Sequence, residues 1–166
     1  MAERTLLLMR HAKSDYPSGV IDHDRPLAPR GVREARLAGD WLRSHVPPID
    51  AVLCSTATRT RETLSHTGLN APVTFAERLY DAVPGTVIDE INRVGDEVAT
   101  LLVVGHEPAM SNVALGLADV SGSSHAAAER ISTKFPTSAI AVLRFDALWR
   151  DLTRGSAALV TFHVPR

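Results

Sequence analysis

The chain has 166 residues, 45% hydrophobic and 22% charged, with 18 Lys plus Arg against 19 Asp plus Glu for a net charge of -1. That length and balance suit a single domain over residues 1–166 and exclude both wholesale disorder and a basic coat for nucleic acid. The lone cysteine, Cys54, excludes a disulfide framework and a Cys-rich metal site.

In chain order, the continuous apolar run Thr5 to Met9 predicts a strand buried on both faces. It is too short for a signal-peptide core or a membrane span, and no later segment approaches the length needed to cross a bilayer, so the expectation is a cytoplasmic protein with no membrane partner. The polar stretch Arg10 to Arg25 predicts a long loop, and loops of that length in small domains are usually functional. From Pro29 to Val46, apolar residues recur at helical spacing. Pro29 suits the first turn, and Pro47-Pro48 ends the helix.

Ala51 to Cys54 predicts a second strand, and Ser55 an N-cap for a helix running to about His66. Val73 to Phe75 predicts a third strand, followed by a turn at Tyr80-Asp81 and a helix from about Pro84 to Val94. Val98 to Val104 is the strongest strand signal and runs into Gly105-His106-Glu107-Pro108, where a helix to about Ala118 begins. A short helix over Ala126 to Ile131 and late strands at Ala139–Phe145 and Ala157–Val164 complete the chain. Strands alternating with helices predict an α/β three-layer sandwich: a mostly parallel central sheet with an antiparallel edge strand and helices on both faces.

Ligands of such sheets bind beyond the carboxyl ends of the strands. That rule selects Arg10-His11, the Ser55–Arg59 segment and Gly105-His106. His11 can serve as nucleophile, base or metal ligand. Its neighbours Arg10 and Lys13 are cationic and no carboxylate lies at ligand spacing, which disfavours a metal; no cofactor is called for. A phosphoryl group suits this setting, because its oxygens carry dispersed negative charge matched to the planar donor fork of Arg. Arg59, in the first turn of its helix, can lean back to the same rim. His106 precedes a helix N-terminus, which also favours an anion.

These residues carry a family resemblance. Arg10-His11-Ala12-Lys13-Ser14 resembles the Arg-His-Gly/Ala signature of the histidine phosphatase superfamily, which includes the phosphoglycerate mutases. Asp24 to Gly31 resembles the Arg-Pro-Leu-Thr-x-x-Gly segment opening the first helix, and Ser55 to Thr63 resembles Ser-Pro-x-x-Arg-x-x-Gln-Thr. Val104 to Pro108 resembles the second-histidine motif, and Phe135-Pro136-Thr137-Ser138 the turn into the late strand of the small SixA-type branch. Thr56 departs from the usual Pro, and Ala12 from the Gly of larger branches.

The resemblance implies a phosphohistidine intermediate on His11, with Arg10, Arg59 and a protonated His106 clamping the phosphate. The two arginines are expected to keep His11 neutral. Lys13 and Ser14 join Arg10, Arg59 and His106 as expected substrate-binding residues. Leu79-Tyr80-Asp81 is similar to the segment carrying the general acid of mutase-like relatives, which makes Asp81 the candidate acid, with Asp22, Asp24 and Glu107 as alternatives. The expected substrate is a phosphorylated protein, a phosphohistidine above all. A small phosphomonoester is the alternative substrate, and a non-catalytic phosphoprotein-binding module the alternative function. Trp41 is expected in the core. His45, His66 and His163 are expected to be inert, while His23 and His125 are candidates for lining the mouth of the site.

Overall fold

In the computed structural model, which describes residues 3–166, β1 (Arg4–Arg10) buries Leu6, Leu7, Leu8 and Met9 completely. A run with no polar face is stable only when both faces of its strand are covered. The other strands are β2 (Ala51–Ser55), β3 (Val73–Ala76), β4 (Thr100–Gly105), β5 (Ile140–Phe145) and β6 (Ala158–His163). They form one six-stranded sheet in the order β3-β2-β4-β1-β5-β6. The pairs β3–β2, β2–β4 and β4–β1 are parallel, whereas β5 runs antiparallel to both β1 and β6. The reversed strand is therefore β5, one place in from the edge.

Alternation along β1 sorts the core into two layers. Leu6 and Leu8 pack with Leu101, Val103, Ala141 and Leu143 against α3 (Pro84–Asn92), α4 (Ala109–Leu117) and α5 (His125–Thr133). Leu7 and Met9 pack with Val52, Cys54, Leu102 and Val104 against α1 (Pro29–His45) and α2 (Thr58–Thr67). Period-2 strands feeding two helical layers give the expected sandwich. Among the described residues, no helix is long and apolar enough to cross a membrane.

Two close approaches hold the α1 layer in place. A Cβ on Gly39 would lie 2.1 Å from the Thr67 carbonyl oxygen, so glycine lets α1 meet the end of α2. A Cβ on Gly31 would lie equally close to the Lys13 carbonyl, at 2.1 Å, so glycine seats the loop after β1 on the helix.

The expected helix from Ser55 differs in its start. Ser55 is the last residue of β2, α2 begins at Thr58, and Ala57 occupies the N-cap position without a side-chain cap. Trp41 is only partly buried. Its ring is stacked between His45 and His163, with centroids 4.9 and 4.4 Å away, so these two histidines have a shared packing role that their sequence spacing does not show.

Candidate active site

Three parallel strands deliver the site residues to one rim. The β1–β4 register sets Arg10 opposite Gly105, and the His11 N–H extends the ladder by donating to the Gly105 carbonyl at 3.0 Å. His11 and His106 thus leave adjacent strands side by side, with ring centroids 5.3 Å apart. Ser55 ends β2 on the far side of β4, and α2 then carries Arg59 back over the rim.

His11 is 7% exposed, and its Nδ1 lies 2.7 Å from the Ala12 carbonyl oxygen. A carbonyl only accepts, so Nδ1 carries the proton and Nε2 keeps a lone pair. The loop is fixed from α2: the Ala12 N–H donates to Thr63 Oγ1 at 2.9 Å, and the Thr63 hydroxyl donates to the Arg59 carbonyl at 2.7 Å. Across the sheet, the Ser138 N–H donates to the His11 carbonyl at 3.0 Å, with Ser138 held at φ 67°. Every nearby main-chain group of His11 is tied down, which orients the ring.

His106 Nε2 lies 2.8 Å from Ser55 Oγ, and that oxygen also accepts from the Ala57 N–H at 3.3 Å. Ser55 Oγ can give its hydroxyl proton to Nε2 while accepting from Ala57, and in that arrangement Nδ1 carries the His106 proton. Arg10 donates from Nη1 to the Phe135 carbonyl at 2.9 Å. Arg59 donates from Nη1 to the Asp22 carbonyl at 2.8 Å and from Nη2 to Asp22 Oδ2 at 3.1 Å. The buried atoms without a protein partner include Arg10 Nε, Arg59 Nε, His106 Nδ1 and Ser138 Oγ. Buried donors lacking acceptors are costly. Two guanidinium groups, an imidazole and a hydroxyl left in that condition at one rim fit a tetrahedral oxyanion.

Both histidines are neutral in this setting. Burial pushes His11 down to about 3, opposed by its bond to the Ala12 carbonyl and reinforced by His106, Arg59 and Arg10. The expected effect of the arginines is present, but loss of solvent leads it. Burial, then Arg59, pushes His106 down to about 4. The expected imidazolium is replaced by a neutral ring that offers an anion its Nδ1–H.

An imidazole kept neutral by the fold gains a proton on unfolding, so stability is full above 6.5 and is lost as pH falls toward about 3 for His11 and about 4 for His106. Each ring contributes a slope of up to ~1.4 kcal/mol per pH unit within its window. In a histidine NMR titration, neither ring is expected to change charge between about pH 5 and about pH 8. Midpoints near the ordinary histidine value would contradict this geometry.

The candidate acids separate clearly. Asp81 is exposed at φ 54°, and no hydrogen bond among the described residues joins it to the histidines or arginines. Glu107 accepts from the Ser111 N–H at 2.6 Å and its hydroxyl at 2.8 Å, capping α4 where Pro108 has no cap to give. Asp24 is exposed beside His23 at 3.5 Å. Asp22 alone of the four bonds to the cluster, through Arg59. Ser14 is buried and accepts from Arg25 Nη1 at 3.1 Å, while the Lys13 ammonium sits 6.0 Å from the Tyr16 ring centroid. Neither bonds to the clustered side chains.

His23 does approach the rim, 3.0 Å from Thr56 Oγ1 and edge-on to Tyr80. His125 instead opens α5 and lines a separate hollow with Asp119 and Val120. Cys54 is fully buried and burial pushes its thiol up to about 12, which leaves it inert toward alkylation. Sequence reasoning missed the parts of Ser55, Tyr80 and Ser138; the Phe135–Ser138 turn was the one local signal for the last.

The model of the histidine phosphatase superfamily (branch 1) matches residues 6–143. An uncharacterized protein of Mycobacterium tuberculosis is 69% identical over 158 residues, covering 95% of this chain and 100% of that one. Phosphohistidine phosphatase SixA of Escherichia coli is 34% identical over 110 residues, covering 62% of this chain and 67% of that one. A solved structure from Nakamurella multipartitia, described as a phosphohistidine phosphatase SixA, superposes with a TM-score of 0.90 at 40% identity, covering 99% of this chain and 98% of that one.

Proposed function

The chain belongs to the histidine phosphatase superfamily and is a phosphatase, and from that premise we propose that His11 is its nucleophile and protein phosphohistidine its substrate. The observation that carries the proposal is the Nδ1–H bond to Ala12, which leaves the Nε2 lone pair free beside the unpartnered donors of Arg10, Arg59 and His106.

Arg10 Nε, Arg59 Nε and His106 Nδ1 bind the non-bridging oxygens, and their charge and dipoles take up the charge of the transferring phosphoryl group. The Nε2 lone pair forms a bond to phosphorus as the bond from phosphorus to the substrate's imidazole nitrogen breaks. The substrate ring, protonated on its other nitrogen, is cationic while bonded to phosphorus; the leaving nitrogen keeps the electron pair of the broken bond, and the ring departs as neutral imidazole. Water then attacks phosphorus, the Nε2–P bond breaks, and Nε2 recovers its lone pair. The water's proton passes to solvent and inorganic phosphate leaves.

The carboxylates support this choice of substrate. The Tyr80 hydroxyl, then Arg59 and Arg25, hold the Asp22 carboxyl down at about 2, and Glu107 is engaged as a helix cap. An alkoxide leaving group needs a strong proton donor, whereas a protonated phosphoimidazole departs without one. The likeness to SixA proteins points the same way.

The test compares kcat/KM for a phosphohistidine peptide, a sugar phosphate and nitrophenyl phosphate. The peptide is expected to lead by ~100-fold or more. A lead for the small esters would assign a small-molecule phosphomonoesterase instead, and binding without turnover of any of them would assign a phosphoprotein-binding module.

A further inference from the structure

We propose that Asp22 is a specificity-determining residue, a carboxylate fixed at the mouth of the phosphate site that selects leaving groups by charge. It favours cationic leaving groups and rejects anionic ones. The inference rests on the phosphatase reading and adds to it the sign of charge that the substrate carries next to its phosphate.

Asp22 lies in the 3-10 turn Asp22–Asp24, within the loop between β1 and α1. An aspartate on such a loop ordinarily sweeps through solvent, but this one is pinned from three directions. Oδ2 accepts from Arg59 Nη2 at 3.1 Å and from the Tyr80 hydroxyl, and Oδ1 accepts from Arg25 Nε at 3.1 Å. Its main-chain carbonyl also accepts from Arg59 Nη1 at 2.8 Å. The Tyr80 ring in turn stands edge-on to His106, with centroids 5.6 Å apart. The carboxylate is thereby held on the solvent side of Arg59, the side opposite the Nε that lacks a partner.

Its side chain is 55% exposed, so the negative charge faces whatever enters. A phosphate seated on Arg10, Arg59 and His106 points its bridging atom outward, and the group on that atom meets Asp22 first. Arg59 and Arg25 neutralise part of the field, yet with two donors on Oδ2 and one on Oδ1 the carboxylate keeps an open lone pair on Oδ1 for the ligand. A protonated imidazole or ammonium finds an acceptor there, and a carboxylate finds a like charge. Over a separation of several ångströms near a protein surface, a full reversal of leaving-group charge changes binding by ~10-fold or more.

The test uses phenyl phosphates of similar leaving-group basicity: unsubstituted, 4-aminomethyl (cationic) and 4-carboxy (anionic). The quantity read is the ratio of kcat/KM for the cationic ester to that for the anionic one. For the wild-type protein it is expected to be ~10 or more, and to shrink with added salt because the carboxylate is exposed. Asp22→Asn is expected to bring the ratio to ~3 or less, and Asp22→Glu to restore most of it. Loosening of Arg59 by either substitution lowers all three rates together and leaves the ratio alone. An Asp22→Asn ratio equal to wild type overturns the assignment. A wild-type protein that hydrolyses none of the esters and forms no phosphoenzyme overturns the phosphatase mechanism itself, and this role with it.

Discussion

Replacing His11 with alanine is expected to lower kcat/KM by at least ~10⁴-fold and to abolish the phosphoenzyme. His11 Nε2 is the atom proposed to form the covalent intermediate, because its lone pair is unengaged whereas His106 Nε2 is paired with Ser55 Oγ and the Asp22 carboxylate with Arg59. The substitution should leave the fold in place, because the local backbone is held by bonds the side chain does not make. The His11 N–H donates to Gly105, the His11 carbonyl accepts from Ser138, and the Ala12 N–H donates to Thr63. Circular dichroism and melting would confirm that, while quenched labelling would read the acid-labile phosphate. His11→Asn, closer in volume to the imidazole, should be equally inactive. Wild-type turnover or labelling by either variant would contradict the assignment.

The next largest loss is expected at Arg59. Its Nη groups are engaged with Asp22 while Nε is buried without a partner, so in the proposed mechanism one planar group both anchors the mouth and meets the phosphate. Arg59→Ala is expected to cost ~10²–10³-fold in kcat/KM, the scale of removing one preorganised donor from a charged transition state. Arg59→Lys keeps the charge but has no fork to span Asp22 and an oxyanion at once. It should recover ~10-fold or less of that loss. Steady-state kinetics on the phosphohistidine peptide would read both values, and a lysine variant with wild-type kcat/KM would show that charge alone suffices.

Much of this was legible in local sequence. The apolar run after Thr5 needed covering on both faces, and the strand ends at Arg10, Ser55 and Gly105 placed the cationic residues at one rim before any geometry was known. What escaped were pairings set by tertiary contact. Ser55 has the chemistry and spacing of an N-cap, yet the strand carries its hydroxyl to His106, 51 residues away. Asp22 and Asp81 look alike as loop aspartates, and only the folded loop shows that Arg59 bonds to the first. The charge of His106 was misjudged because its arginine neighbours and family motif are visible in sequence, whereas its burial is not. Trp41 and its two flanking histidines come together only when α1 packs beside β6.

The proposed mechanism requires these side chains to converge on one tetrahedral anion with His11 Nε2 behind it. Soaking crystals with vanadate tests this most directly. The expected result is an anion whose oxygens accept from Arg10 Nε, Arg59 Nε and His106 Nδ1, with its vanadium in line with His11 Nε2. Vanadate found instead only in the hollow between α5 and β6, beside Arg130 and Lys134, would contradict it.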